Sequence, residues 1–188
     1  MTKLLSTEQM AEFANSGCLF FEGLIDEDIN KEFLNDIGHT DIDDVDNIQH
    51  YFQNIKSSSS IPRIPAGTAL KDAYPLNSPL EKIFKNEIVS GAINSLVGSK
   101  TVVDHQFLHL TFPSKYYAKA NQRQMSQVNH QDSTIDPRTT FDIQLFYFPT
   151  AVTKEMGGTR YHPGTHLRIV NEMGIAKYQN IKGQKNIV

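Results

Sequence analysis

His130 and Asp132 are the two residues whose types and spacing best fit a chemical role. Residues two apart in a strand point to the same face, so both side chains would enter one cavity while Gln131 faces away. Imidazole and carboxylate are iron(II) ligands in the site built from two histidines and one carboxylate. We therefore predict an iron(II) site with open positions for a chelating 2-oxo acid and for dioxygen. A polar pair at a strand end is the alternative interpretation.

The first half of the chain predicts helices that would precede this strand. Ser6 begins a capping box with Gln9, and the helix that follows should end near Gly17. Apolar residues four apart predict a second helix over residues 26–37. Ser78 and the proline after it predict a helix start, and the apolar pattern continues to residue 98 with a break near Asn86.

Shorter elements are predicted between these helices. The apolar run at residues 18–21 predicts a buried strand, in which Cys18 would be an inert buried thiol. Residues 40–78 are rich in acidic, serine, proline and glycine residues, which predicts a loop with one short element around residues 48–55.

After residue 98 the apolar period changes from near four to two, which is typical of strands. The predicted strands, separated by turn signals, are residues 101–112, 125–132, 141–148 and 159–162. Helices followed by strands predict a mainly β protein with N-terminal helices, in which an antiparallel sandwich or barrel carries a helical layer. We expect a single domain over residues 1–188, with the helical layer at 1–98 and the barrel part at 99–188.

The composition excludes several classes of partner. Hydrophobic residues make up 39% of the chain, charged residues 21%, and the formal net charge is −3. No basic patch is present for nucleic acid or for an anionic membrane surface. The single cysteine cannot form an internal disulfide, and residues 1–6 predict neither a signal peptide nor a membrane span. A cytoplasmic protein with a small-molecule substrate is expected.

Several segments together resemble the phytanoyl-CoA dioxygenase family. The helix at residues 5–13 and the run GCLFFEGLI at residues 17–25 are similar to the opening of that family. NHQD at residues 129–132 looks like its first metal strand, and residues 141–148 resemble its next core strand. The most specific segment is GGTRYHPGTH at residues 157–166, which is similar to the family's Asn-Gly-Pro-Leu-x-x-x-Pro-Gly-Ser-His hairpin. The elements occur in the family's order.

The resemblance implies a fold and a set of site residues. The fold would be a double-stranded β-helix, a jelly roll that encloses the iron. His130 and Asp132 would be metal ligands, and 2-oxoglutarate would be the cosubstrate. Gln144 would contact 2-oxoglutarate, although pairing across the sheet is an equally good interpretation, and Thr159 and Arg160 are weaker candidates. Asp132 favours hydroxylation, since halogenating relatives carry a small residue there.

The chain departs from the family pattern after the hairpin. The family needs a second histidine ligand and an arginine for the far carboxylate of 2-oxoglutarate, but no histidine follows His166 and no arginine follows Arg168. His162, His166 or the pair His105 and His109 are nearer candidates to line the site. The jelly roll is therefore expected to be incomplete in this chain. Three explanations are open: a separate or missing C-terminal fragment, a naturally shortened inactive relative, or a second subunit that completes the barrel.

Three functions follow from these expectations. The first is an iron(II) and 2-oxoglutarate-dependent dioxygenase that hydroxylates a small-molecule or lipid-like substrate. The second is a catalytically inactive barrel domain that acts as a binding or scaffold module. The third is a cupin-type metal enzyme without an oxo-acid cosubstrate.

Overall fold

The chain forms five α-helices in the part of the sequence that the structure describes. The structure, a computed structural model, describes residues 2–40, 48–57, 61–110, 142–153, 156, 158–166 and 185–186. The helices are α1 (Thr7–Ser16), α2 (Glu27–Asp36), α3 (Ile48–Ser57), α4 (Pro79–Lys85) and α5 (Glu87–Val97). A 3₁₀ turn lies at Leu70–Asp72. Within these ranges, no helix is both long enough and apolar enough to cross a bilayer.

The strands are short and form two separate antiparallel pairs. β1 (Thr68–Ala69) pairs with β2 (Val102–Val103), and β3 (Arg160–Tyr161) pairs with β4 (Lys185–Asn186). Each strand has two residues, so strand is a minor part of the described chain. The prediction of a mainly β protein with a jelly roll is therefore wrong: the described residues contain five α-helices and only two two-stranded sheets.

The predicted strands fail for an identifiable physical reason. Alternation predicts an extended backbone, but a sheet also requires a second segment to accept and donate the ladder hydrogen bonds. In the described part of the predicted strand at 101–112, residues 101–110, only Val102 and Val103 pair in a sheet. In the described part of the predicted strand at 141–148, residues 142–148 belong to none of the described strands. Residues 18–21 are not a strand either, and Phe20 and Phe21, which were predicted to be buried, are exposed. The predicted strand at 125–132 lies outside the described residues.

The helix predictions are confirmed, because local capping determines helix ends. The Ser6 hydroxyl accepts from the Gln9 backbone amide while the Gln9 side chain accepts from the Ser6 amide, and Gly17 ends α1 at a φ of 80°. The Ser78 hydroxyl accepts from the Glu81 amide at the start of α4. The break near Asn86 separates α4 from α5, and the expected short element is α3.

Two compact units contain the described residues. The first includes residues 2–5 and 145–150 together with α2, α3, α4, α5, β1 and β2. In it, α4 packs against α2 and α5, and Lys82 of α4 pairs with Glu32 of α2 at 2.5 Å. Its buried apolar core consists of Phe33, Ile37, Tyr51, Ile55, Ala73, Ile83, Val89 and Ile93.

The second unit contains α1, β3, β4 and the described residues between 142 and 166 that are outside the first unit. None of its described residues reaches the burial of the first unit's core, since its side chains range from half-buried to exposed. Its packing depends on the contact of α1 and residues 17–20 with the segment after β3, which is also the segment with the most specific resemblance.

Candidate functional site

The two predicted metal ligands, His130 and Asp132, lie outside the described residues. Gln144, the predicted contact for 2-oxoglutarate, is described and exposed, as are Asp142 and Phe146 in the same extended segment. Leu145 is exposed as well, so exposure does not alternate residue by residue along residues 142–146. Gln144 belongs to none of the four described strands. The role assigned to Gln144 stays a prediction.

The hairpin-like segment at residues 160–166 is described in full. β3 begins it, with Arg160 opposite Asn186 and Tyr161 opposite Lys185. A turn follows, in which the amide and the hydroxyl of Thr165 both donate to the carbonyl of His162, at 3.3 and 2.8 Å. Gly164 has a φ of 75°, in the left-handed region that glycine tolerates best. The sequence signal for a turn at Pro163 and Gly164 is confirmed.

This turn packs on the C-terminal end of α1. The Gly164 amide donates to the carbonyl of Ser16 at 2.9 Å. The imidazole of His166 lies directly over Gly17: a Cβ added to that glycine would be 2.5 Å from both Cγ and Nδ1 of His166. The ring of Phe13 lies 6.3 Å from that of His166. Gly17 therefore has two functions, because it ends the helix and also leaves room for the imidazole.

A second aromatic contact joins the same two segments. The rings of Phe20 and Tyr161 are 5.7 Å apart and tilted by 53°, which is a favourable geometry for an aromatic pair. Burial raises the pKa of the Tyr161 hydroxyl, and the nearby Cys18 and Glu12 raise it further. The segments around residues 13–20 and 160–166, about 140 residues apart in sequence, thus form one packed contact.

Cys18 lies in this contact as a half-buried thiol. Burial raises its pKa, and the charge of Glu12 acts in the same direction. A thiol with a raised pKa carries little thiolate at neutral pH and is a poor nucleophile or metal ligand. The prediction of an inert thiol is consistent with this pKa direction, although the side chain is less buried than expected.

The histidines of the turn were the nearest candidates for a third iron ligand. Both ring nitrogens of His162 and the Nδ1 of His166 are inaccessible to water. For His166, the packing on Gly17 accounts for the position of the ring without a metal. Across the described ranges, no three His, Cys, Asp or Glu side chains are grouped so that they could hold a metal ion. The described residues therefore do not contain a complete donor set for iron.

His105 and His109 share one face of an extended segment, as predicted. The ring of Phe107 lies between them, 5.9 Å from His105 and 6.3 Å from His109. His105 also pairs with the neighbouring Asp104 at 2.8 Å, and both side chains are well exposed. The row of rings is on the surface, so the described structure does not place these histidines in a cavity.

No sequence pattern indicated a role for His39. Its Nδ1 lies 2.7 Å from the hydroxyl of Tyr51, and the two rings meet edge to face. Tyr51 is buried, and burial raises the pKa of its hydroxyl. The pair connects the end of α2 with α3 and has a structural role.

The extended segment at residues 145–150 docks on α2 through Tyr147, which the sequence did not single out. The Tyr147 hydroxyl donates to the Oδ1 of Asn30 at 2.6 Å, and its ring meets Phe33 edge to face at 5.2 Å. Burial raises the pKa of Tyr147 to about 12. The flanking Phe146 and Phe148 are exposed and stack on each other. A single polar aromatic residue inside an apolar alternation is the one sequence signal that could have revealed this anchor.

Comparison with known proteins adds no relative: no family model, curated protein or solved structure matches this chain. The resemblance to the phytanoyl-CoA dioxygenase family therefore depends on the residues quoted above and stays a prediction.

Proposed function

We propose that this protein is an iron(II) and 2-oxoglutarate-dependent dioxygenase that holds iron through His130 and Asp132. The observation that carries the proposal is the spacing of these two residue types, with one residue between them in the sequence, in a chain whose residues 157–166 resemble the family's hairpin. The proposal depends on these residues and not on a barrel, because the described residues do not form one. A small-molecule or lipid-like substrate and a cytoplasmic setting are parts of the same proposal.

One contact in the structure supports treating the resembling segments as a unit. Gly17 begins the N-terminal run that resembles the family, and His166 ends the resembling hairpin. The two residues are in contact, and the Gly164 amide donates to the Ser16 carbonyl beside them. Two segments selected by resemblance alone, far apart in sequence, are thus neighbours in space. A chance similarity of two short segments to the family would give no reason for the two segments to be in contact.

In this proposal the protein positions the iron through a neutral imidazole nitrogen of His130 and a carboxylate oxygen of Asp132. The bound iron would supply activation of dioxygen, coupled to the oxidative decarboxylation of 2-oxoglutarate to succinate. Asp132 would remain ionised, as metal ligation requires a deprotonated carboxylate. Its presence in place of a small residue favours transfer of a hydroxyl group to the substrate over transfer of a halide.

The binding half of the proposal is tested by anaerobic calorimetry with iron(II) and 2-oxoglutarate on the 188-residue chain. We expect the Asp132→Ala and His130→Ala variants to bind iron at least about tenfold more weakly, since each removes a metal ligand. Asp142→Ala is the matched control, because Asp142 is an exposed carboxylate in the next described segment. Equal iron affinity in wild type and in Asp132→Ala would contradict the proposed ligand set.

The catalytic half is tested by succinate formation from 2-oxoglutarate under air, with iron(II) and ascorbate. Succinate formation should require wild-type His130 and Asp132 and should persist in Asp142→Ala. Succinate formation at the wild-type rate by Asp132→Ala would rule the dioxygenase out. A chain that binds neither iron nor 2-oxoglutarate would instead favour the non-catalytic binding module. Iron binding with oxygen uptake that 2-oxoglutarate does not stimulate would favour a cupin-type enzyme.

A further inference from the structure

We draw no further inference here: the strongest candidate, the exposed row of rings formed by His105, Phe107 and His109 on the extended segment after β2, carries nothing because no feature of the described residues shows what covers it.

Discussion

Tyr147 connects a single side chain with the stability of the first unit. Its hydroxyl donates to Asn30 while its ring packs on Phe33, so the two contributions can be separated by substitution. Tyr147→Phe keeps the ring and removes the hydrogen bond, which should lower the free energy of unfolding by about 1 kcal/mol at neutral pH. Urea unfolding followed by circular dichroism measures this difference.

The same residue predicts a loss of stability in alkali. Burial raises the pKa of Tyr147 from 10.0 to about 12, so the folded state keeps a proton that the unfolded state releases. Its contribution is therefore fully present below pH 10 and is lost as the pH rises through about 12. Tyr51 and Tyr74, whose pKa values burial also raises, should add to this loss.

Tyr147→Phe should consequently be less sensitive to alkali than wild type. The measurement is the urea midpoint at about pH 8 and about pH 11, which brackets the onset of tyrosine ionisation in the unfolded chain. The difference in urea midpoint between wild type and Tyr147→Phe should be smaller at the higher pH. Identical losses in both proteins would show that Tyr147 does not contribute.

Gly91 has no side chain, and this leaves room for the N-terminal segment to pack across α5. Residues 2–5 cross α5 at this glycine, with the Lys3 amide donating to Glu87 and the Leu5 amide to the Ser95 hydroxyl, each at 3.0 Å. A Cβ at Gly91 would overlap the backbone carbonyl of Lys3. Backbone cannot swing aside as a flexible side chain can, so the crossing segment would have to leave the helix.

Gly91→Ala should therefore destabilise the protein by about 1–3 kcal/mol, as overpacking does, despite the better helix propensity of alanine. The decisive control is the same substitution in a chain that lacks residues 1–4. There the overlap is gone, and alanine should stabilise α5 by up to about 1 kcal/mol. A substitution that destabilises both chains equally would show that the crossing segment is not the cause. Thermal unfolding of the four proteins gives the comparison.

At the scale of whole elements, Asn86 separates α4 from α5. Its amide ends α4 by donating to the carbonyls of Lys82 and Ile83, and its Oδ1 accepts from the amides of Ile88 and Val89 at 2.9 and 3.3 Å. One residue thus satisfies backbone groups at the end of one helix and the start of the next. The two helices can then change direction while the amides of Asn86, Ile88 and Val89 stay hydrogen-bonded.

Asn86→Ala should lower stability by about 1 kcal/mol, because two amide donors of α5 lose their acceptor. Asn86→Asp keeps an acceptor and adds negative charge at the positive end of a helix, so it should be at least as stable as wild type. Far-UV circular dichroism during thermal unfolding measures both. Equal stability of the alanine and aspartate variants would contradict the capping role.

At the same scale, the strands depend on pairing with a distant segment, whereas the helix ends depend on neighbouring residues. In the described part of the predicted strand at 101–112, residues 101–110, only Val102 and Val103 are strand, and their sheet partner is the two residues of β1. Beyond β2, the Gln106 side chain donates to the Pro62 carbonyl and accepts from the Tyr74 hydroxyl, which replaces a ladder with side-chain hydrogen bonds. A period of two therefore overestimated the sheet.

At the scale of the molecule, the second unit depends on the contact between Gly17 and His166. Gly17→Ala should lower the free energy of unfolding for two reasons. The positive φ at this position disfavours a side chain, and the added Cβ would overlap the imidazole of His166 near its attachment to the backbone. Gly23→Ala is the matched control, because Gly23 also has a positive φ, of 61°, but has no atom within 4 Å of the added Cβ.

Gly17→Ala should consequently lower the free energy of unfolding by about 1–3 kcal/mol more than Gly23→Ala does, which is the usual range for overpacking. The additional His166→Ala substitution removes the imidazole and should bring the cost of Gly17→Ala close to that of Gly23→Ala, as expected for residues in contact. Hydrogen exchange of residues 7–20 would report the loss of the contact directly. If the losses of stability in Gly17→Ala and His166→Ala were fully additive in the double variant, overlap between the added Cβ and the imidazole would be excluded.

The helices could be predicted from sequence because their ends depend on residues within four positions. Ser6 with Gln9, Ser78 with Glu81, and Gly17 act on the backbone of their own segment, so neighbouring residue types were sufficient. His130 and Asp132 were also singled out from local spacing together with the resemblance, and their role as ligands stays a proposal because both residues lie outside the described residues.

The contacts between distant segments had no such local signal. Tyr147 and Asn30 are 117 residues apart, Leu5 and Ser95 are 90 apart, and His166 is far along the chain from Gly17. Each contact depends on how two surfaces meet, which no short pattern encodes. For the same reason the alternating segments predicted an antiparallel sandwich or barrel that the described residues do not form. Alternation determines which way side chains point, and a sheet forms only where folding brings a second backbone alongside.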